Sequence, residues 1–258
     1  MKLDYQIDHR FSFTVRDNLD FHMHAQGEIE IGFMLRGSCD ITCGKVTDTV
    51  RAGDVFFMFP NQPHAYENSR DVVAYLLIVP VRRYLSAYHS ILLKQTPVRP
   101  ILRQGAWDES LLWLVERAYQ DKAQVSETVM QGYLTVIFGK LLESILLREQ
   151  PAGADEIMRR MLEYINEHYR TGITRQELAK AVGYNESYVS HLFSQTMGIT
   201  MPAYIHSLRI EDGCRMLLET DMSVTHIALE LGFGSIRNFN RVFYKKTGLT
   251  PRQYRERR

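Results

Sequence analysis

The residues best suited to chemistry crowd into one short stretch, Phe21-His22-Met23-His24-Ala25-Gln26-Gly27-Glu28-Ile29-Glu30. It sets two imidazoles two apart and follows them with two carboxylates. On a β-strand, residues two apart point to the same face. His22 and His24 are therefore expected to aim into one pocket, with Glu28 or Glu30 behind them. Such a set suits either the metal site of an enzyme or the wall of a pocket that senses a ligand. The elements that position it, and the rest of the chain, have to decide.

At 258 residues the chain suggests one large domain or two ordinary ones. Its 45% hydrophobic and 24% charged residues are ordinary for a soluble globular protein. No apolar run approaches the roughly 20 residues that span a bilayer. The opening MKLDYQIDHR is polar and lacks the apolar core of a secretion signal, so a cytoplasmic protein without a membrane partner is expected. Three cysteines make no disulfide framework. Cys39 and Cys43, four apart, fit neither a redox CxxC nor a common zinc spacing and read as small buried thiols in a reducing compartment. The formal charge of +1 hides an asymmetry: residues 1–154 carry 16 Lys and Arg against 18 Asp and Glu, whereas Arg237 to Arg258 holds eight bases and one acid, Glu256. That tail is where a polyanion would be attracted.

Three regions differ in periodicity. From about Tyr5 to Val79, short runs rich in β-branched and aromatic residues (Ile29–Leu35, Val55–Phe59, Val72–Val79) alternate with turn signals at Arg36-Gly37-Ser38, Cys43-Gly44-Lys45, Ala52-Gly53-Asp54 and Phe59-Pro60-Asn61-Gln62-Pro63. Strands at such spacing predict an all-β sandwich or barrel. From Asp108 to about Arg148 the pattern is helical, with one stripe at Leu111, Leu114, Val115 and Ala118. A second stripe runs through Met130, Leu134, Ile137, Leu141, Ile145 and Leu146. Apolar over more than one face, the 126–148 helix either packs only against the barrel or also pairs with a second subunit. Glu149 to Asp155, with Pro151 and Gly153, reads as a linker, and everything after it is helical.

The strongest signal is an internal repeat. Phe193-x4-Gly198-Ile199-Thr200-x3-Tyr204 recurs fifty positions on as Phe243-x4-Gly248-Leu249-Thr250-x3-Tyr254. Upstream, Leu178-Ala179-x2-Val182-Gly183-Tyr184 recurs forty-nine positions on as Ile227-Ala228-x2-Leu231-Gly232-Phe233, so the second copy holds one extra residue between its Gly and its Phe. Each copy reads as helix, tight turn, helix. Thr174 and Ser223 are N-caps, and Thr174 has Glu177 three residues on to complete a capping box. Ala179 and Ala228 permit close helix approach, Gly183 and Gly232 take the left-handed conformation that ends a helix, and Asn185 and Ser235 cap the next one. An amphipathic helix, Ala203–Leu218, joins the copies. This geometry is that of the DNA-binding helix-turn-helix, whose second helix lies in the major groove.

With those motifs in hand, residues from about 157 to 258 closely resemble the double helix-turn-helix domain of AraC/XylS-type transcription regulators. The resemblance rests on Leu208-Arg209-Ile210 with Met216-Leu217-Leu218, on Ile227-Ala228-x3-Gly232-Phe233, and on Phe239-x-Arg241-x-Phe243-x4-Gly248-x-Thr250-Pro251-x2-Tyr254-Arg255. Read from the residues, helix 235–246 packs through Phe239, Val242 and Phe243 and turns Arg237, Asn238, Asn240 and Arg241 outward. Arg pairs bidentately with guanine and Asn with adenine, each worth ~1–3 kcal/mol of discrimination. Helix 185–196 packs through Val189, Leu192 and Phe193 and turns Glu186, Ser187, Tyr188, Ser190 and His191 outward. The resemblance implies base-reading at Ser187, Ser190 and His191 in the first unit and at Arg237, Asn238 and Arg241 in the second. The first unit lacks an exposed Arg or Lys there, a departure from many relatives. Lys245, Lys246 and the terminal arginines read as phosphate contacts or as a frayed tail.

The N-terminal strands can now be weighed. His22-x-His24, Glu30-x6-Gly37 and Gly53…Pro60-x3-His64-x3-Asn68 resemble the two motifs of the cupin barrel, whose metal-binding members would ligate Fe, Mn, Ni or Zn through His22, His24, Glu30 and His64. Two departures stand against a metal: five residues separate His24 from Glu30, where the catalytic motif has three or four, and Gln62 replaces a Gly. The preferred reading is a ligand pocket, with His22, His24, Glu30, His64 and Tyr66 on a wall made apolar by Phe33 and Phe57, suited to a sugar or another hydroxylated or carboxylated metabolite. The expected fold is α+β: a cupin-like effector-sensing barrel (1–105), a helical dimerisation segment (106–150), a linker (151–156) and an all-α domain of two helix-turn-helix units (157–258). The expected protein is a bacterial transcription regulator, not an enzyme. It needs no cofactor and has a double-stranded DNA operator, a small-molecule effector, a second copy of itself and, if it activates, RNA polymerase as partners. The alternatives are a metal-dependent cupin enzyme fused to a DNA-binding domain and a ligand-independent DNA-binding dimer.

Overall fold

The structure, a computed structural model, describes residues 11–44, 46–149 and 153–258, which form two compact units dividing at 156/157. In chain order the first unit has strands β1 (Ser12–Arg16), β2 (Phe21–His24), β3 (Ile29–Cys43), β4 (Val46–Arg51), β5 (Val55–Met58) and β6 (His64–Val79). Short helices α1 (Val81–Tyr84) and α2 (His89–Lys94) lead to strands β7 (Gln95–Pro97) and β8 (Ile101–Leu102). Helices α3 (Leu111–Asp121) and α4 (Glu127–Ser144) and a strand β9 (Leu147–Glu149) complete it. Seven strands make one antiparallel sheet in the order β1-β6-β3-β5-β8, with β2 added to β6 and β4 to β3, while β7 and β9 pair separately.

The long strands β3 and β6 are the spine. Their ladder slips register between Met34 and Arg36, Arg36 and Ser38, and Ser38 and Asp40; such bulges bend a strand. The expected turn at Arg36-Gly37-Ser38 is therefore corrected to a bulge inside continuous β3. Gly37 adopts φ +80° there, and a Cβ would lie 2.3 Å from the Arg70 carbonyl oxygen. The bend folds the far halves of β3 and β6 over the near ones. Met34, Phe56, Met58 and Leu76 from one side and Ile41, Val50, Tyr66 and Val72 from the other then enclose a single core.

The opposite face of the same strands carries Ile29, Ile31, Phe33, Val55, Phe57, Leu77 and Val79, and packs on Val115, Ala118, Met130, Leu134, Ile137, Phe138 and Leu141 of α3 and α4. Both sides of β5 and of the start of β3 are buried. The helical stripes of the sequence thus cover the outside of the sheet. Two expectations here are corrected: Leu146 is exposed, and the segment from Leu147 forms β9 on β7 rather than helix, because Ser144 ends α4.

In the second unit α5 (Ala154–His168) begins inside the stretch expected as linker, of which 151 and 152 lie outside the described residues. There follow α6 (Arg175–Val182), α7 (Glu186–Met197), α8 (Met201–Glu219), α9 (Val224–Glu230), α10 (Ile236–Thr247) and α11 (Pro251–Arg255). Local signals fix most boundaries. Thr174 and Glu177 exchange both capping-box hydrogen bonds, and Asn185, Thr200, Ser223 and Ser235 each accept from the third residue of their helices. Gly183, Gly198, Gly232 and Gly248 take positive φ at helix ends. The turn from Gly to helix is one residue longer in the second copy, which inserts Gly234.

The helix between the copies is not amphipathic as expected. α8 is buried nearly all round, including Ser207, Arg209, Glu211 and Asp212, because α7, α9, α10 and α11 all pack on it. Among the described residues no helix is long and apolar enough to cross a membrane.

Gly32 faces the enclosed core, where a Cβ would lie 1.9 Å from the Phe56 ring. Gly32→Ala is expected to destabilise the N-terminal unit by about 1–3 kcal/mol through overpacking, and Phe56→Leu in the same chain to recover most of the loss. Urea unfolding of the single and double variants checks both.

Candidate functional site

The N-terminal cluster is assembled by strand register. β2 pairs with β6 so that His24 stands directly opposite His64, and their rings lie 4.1 Å apart between centroids. Tyr66 is two residues on from His64 and so shares its face. Glu30 enters from β3: Tyr66 donates its hydroxyl to Glu30 Oε1 at 2.5 Å and Gln26 donates Nε2 to Glu30 Oε2 at 2.9 Å. His24 Nδ1 lies 3.0 Å from the His22 carbonyl and His64 Nδ1 lies 2.8 Å from the Gln62 carbonyl. With its Nδ1 donating to a carbonyl, the neutral His24 is left with a lone pair on Nε2. His64 Nε2 is 3.7 Å from Glu30 Oε2 and has no hydrogen-bond partner. All four side chains, and Gln26, are buried.

That burial sets the charges. It pushes the His24 imidazole down to about 3, with the neighbouring His64 adding to the shift and Glu30 opposing it, so His24 is neutral. Burial alone would raise the Glu30 carboxyl, but the His64 imidazole, then His24 and the Tyr66 hydroxyl, hold it below its ordinary value. Burial, then the charge of Glu30, drives Tyr66 well above the ordinary phenol range and keeps it a donor.

Three expected residues are elsewhere. His22 is exposed while His24 is buried, because the register shifts between Phe21 and His24 and breaks the two-residue alternation. Phe33 and Phe57 face the helices rather than the cluster. Their neighbours in phase with Glu30 replace them: Met58 is its cross-strand partner, and the Phe56 ring meets Tyr66 at 5.7 Å. Gln26 was not anticipated, although it continues the spacing His24-x-Gln26.

In the second unit α7 buries Val189, Phe193 and Met197, leaving Ser187, Tyr188 and His191 exposed and Ser190 half-buried. Tyr184, in the turn, stacks on Tyr188 at 5.3 Å. Helix α10 buries Phe239, Val242 and Phe243 and exposes Arg237, Asn240, Arg241 and Lys245, with Asn238 and Lys246 half-buried. Asn238 Oδ1 accepts from Arg241 at 2.8 Å, which holds the guanidinium along the helix. The terminal arginines are partly engaged within the protein, Arg255 with the Met222 carbonyl and Arg258 with Asp221.

Polar residues on α8, to which the sequence reading gave no role, tie the end of α5 to the turn between α9 and α10. Arg209 donates to the Tyr169 and Gly232 carbonyls at 2.5 and 2.7 Å and to the Thr171 carbonyl. Asp212 accepts from the Tyr169 hydroxyl at 2.6 Å and from Arg170 and Arg215. The approach is close enough that a Cβ on Gly232 would lie 2.0 Å from the Arg170 carbonyl oxygen. Glu211 is buried beside Lys246 with Oε2 unpartnered. Burial, opposed by Lys246 and aided by Asp212, pushes its carboxyl up to about 8.

Comparison with known proteins follows the two units. A helix-turn-helix domain family matches residues 178–257, and an AraC-like ligand binding domain family matches residues 11–138. The melibiose operon regulatory protein of Escherichia coli (strain K12) is 38% identical over 96 residues, 37% of this chain and 32% of that protein. An uncharacterized HTH-type transcriptional regulator of Staphylococcus aureus (strain N315) is 35% identical over 101 residues, 39% of this chain and 14% of that protein. The match therefore spans less than a third of either relative's length. Apo ToxT from Vibrio cholerae superposes with a TM-score of 0.59 at 14% identity, over 95% of this chain and 97% of that one. ToxT with a bound unsaturated fatty acid gives 0.53 at 17%, over 95% and 94%. At such identities the likeness is one of fold.

The raised Glu211 pKa has a sign that can be checked. A carboxyl at about 8 when folded and near its ordinary value when unfolded contributes stability at acid pH that is lost as pH rises toward 8. Glu211→Gln lacks this loss. Its melting temperature is expected to gain on the parent progressively from pH 5 to pH 8 and to hold a constant lead above that, as followed by circular dichroism.

Proposed function

The chain belongs to the AraC family of helix-turn-helix transcription regulators, and from that premise we propose that it binds a specific duplex operator through α7 and α10 and adjusts that binding to a small polar ligand sensed by its N-terminal unit. The observation that carries the reading is the pair of like-built, polar-faced helices on a single helical scaffold. The 19 residues of α8 make a rod of about 28 Å, close to the ~34 Å at which a major groove recurs on one side of B-DNA. Arg237, Asn238, Asn240 and Arg241 supply base-edge contacts from α10, and Ser187, Tyr188, Ser190 and His191 from α7. Lys245 and Lys246 neutralise phosphates.

In the N-terminal unit His24, Glu30, His64 and Tyr66 are the ligand-recognising groups, and an oxygen-rich metabolite such as a sugar or a hydroxy acid suits them. Coupling is by linkage: a ligand that favours one arrangement of the molecule shifts its population and with it the freedom of the DNA-reading unit. The division into a sensing part (1–105), a dimerising part (106–150), a linker (151–156) and a reading part (157–258) belongs to this proposal. So do a cytoplasmic site of action and contact with RNA polymerase at activated promoters. Dimerisation through the outer helices draws support from Trp113 on α3, 68% exposed, and from Val129 and Val136, seven apart on α4 and 47% and 52% exposed. A homodimer would cover these side chains.

Binding-site selection from random duplexes tests the reading directly; a purified chain that enriches no sequence overturns it. Arg241→Ala is expected to relax preference at one base pair at a cost of about 1–3 kcal/mol. Lys245→Ala should weaken all duplexes alike and lower the salt slope by about one unit, both read by fluorescence anisotropy. For the oligomer, Trp113→Ser with Val136→Glu should convert a dimer to a folded monomer in light scattering.

A further inference from the structure

We propose that His24, Glu30 and His64 form a binding site for one divalent transition-metal ion, held by the two Nε2 atoms and a carboxylate oxygen. The inference rests on the reading of this cluster as the ligand site of the N-terminal unit, and it names the chemistry of that ligand.

Geometry argues for an ion. One ligand atom from each of the three residues lies within 4.8 Å of the others, and all three residues are buried. Donors about 2.0–2.2 Å from a shared ion sit roughly 3.0–3.5 Å apart, so the 3.7 Å between His64 Nε2 and Glu30 Oε2 closes with a shift of a few tenths of an ångström. The same gap is too long for a hydrogen bond, and His64 Nε2 has no hydrogen-bond partner among the described residues. A buried ring nitrogen and a buried carboxylate oxygen thus face one another across a gap that neither closes.

The surroundings are those of a prepared site. Both imidazoles face the cluster with Nε2 because both Nδ1 atoms are tied to carbonyls two residues back, His22 and Gln62. Both Glu30 oxygens are oriented by neutral donors, Tyr66 and Gln26. The imidazole hydrogen bonds fix tautomers and raise ligand basicity, and those to Glu30 fix the orientation of its carboxylate. Two imidazoles and one carboxylate, without a thiolate, suit Fe²⁺, Mn²⁺, Co²⁺, Ni²⁺ or Zn²⁺ rather than Cu⁺ or the all-oxygen ions Ca²⁺ and Mg²⁺. The nearby Cys39 thiol is turned to the Glu67 carbonyl. Three protein ligands leave coordination positions open, at which the oxygens of a hydroxylated or carboxylated metabolite can bind.

The test uses the full chain, stripped with a chelator and titrated with Co²⁺ and Zn²⁺ by calorimetry, visible absorption and thermal melting. One ion per chain and a raised melting temperature are expected. His64→Ala should weaken binding by well over tenfold. Tyr66→Phe, which removes no ligand atom, should keep the one-to-one stoichiometry but weaken binding about tenfold, and serves if His64→Ala does not fold. His226→Ala, an exposed imidazole of the other unit, should leave the titration unchanged. Failure to bind an ion, or equal affinity in parent, His64→Ala and Tyr66→Phe, overturns the proposal. A sugar or hydroxy acid that raises the melting temperature of the stripped parent, but not of His24→Ala, when no ion binds, sinks the metal and leaves the ligand-site reading standing. If neither ions nor metabolites shift the melt, both fall.

Discussion

A single buried guanidinium sets the geometry on which the reading unit depends. Arg209 sits in the middle of α8 and gives its hydrogens to three main-chain carbonyls, two just beyond the end of α5 and one in the turn between α9 and α10. Burying a charge with no carboxylate against it is costly unless every donor is satisfied, so the three carbonyls must stay where they are. Asp212, one turn along, gathers Tyr169, Arg170 and Arg215 in the same way. The second helix-turn-helix is thereby locked to the start of the first. The two helix-turn-helix units are held to one scaffold because polar groups inside it cannot slip without being stranded.

The N-terminal unit solves a different problem with the same economy of contacts. One sheet has to bury both faces, one against α3 and α4 and the other against its own bent-over half. The bulges at Arg36 to Asp40 make the second burial feasible. They also decide where polar side chains can gather: His24, Glu30, His64 and Tyr66 meet on the enclosed face, where burial keeps His24 neutral and, against that same burial, the neighbouring imidazoles and the Tyr66 hydroxyl keep Glu30 charged.

How far the sequence could be read follows the range of the forces involved. The α+β class was legible, as were the ends of α6, α7, α9 and α10. Caps such as Thr174 with Glu177 and left-handed glycines such as Gly183 act within a few residues and leave local marks. The grouping of His24 with Glu30 and His64 was legible in part, since strand periodicity carries that far. His22 was not, because a register slip lies between Phe21 and His24 and nothing local announces it. Phe33 and Phe57 were put on the wrong face for a related reason. Where both faces are apolar, as in Val55–Met58, periodicity gives no phase, and only pairing with Glu30 shows that Phe56 and Met58 point inward. Helix 203–218 reads as amphipathic, and the roles of Arg209, Glu211 and Asp212 stay hidden, because the sequence does not show that four helices surround them.

The extra residue Gly234 has a consequence for any target. Because the second turn is longer and the two helices α7 and α10 present different side chains, the two helix-turn-helix units are not copies that can be exchanged. They are also carried in fixed order along one polypeptide rather than related by a two-fold axis. On the proposed function, a single protomer gains nothing from a half-site identical on both strands, since whichever way it docks one helix meets the wrong bases. On that reading the half-site of each protomer has a head and a tail, and binding sets an orientation as well as a position.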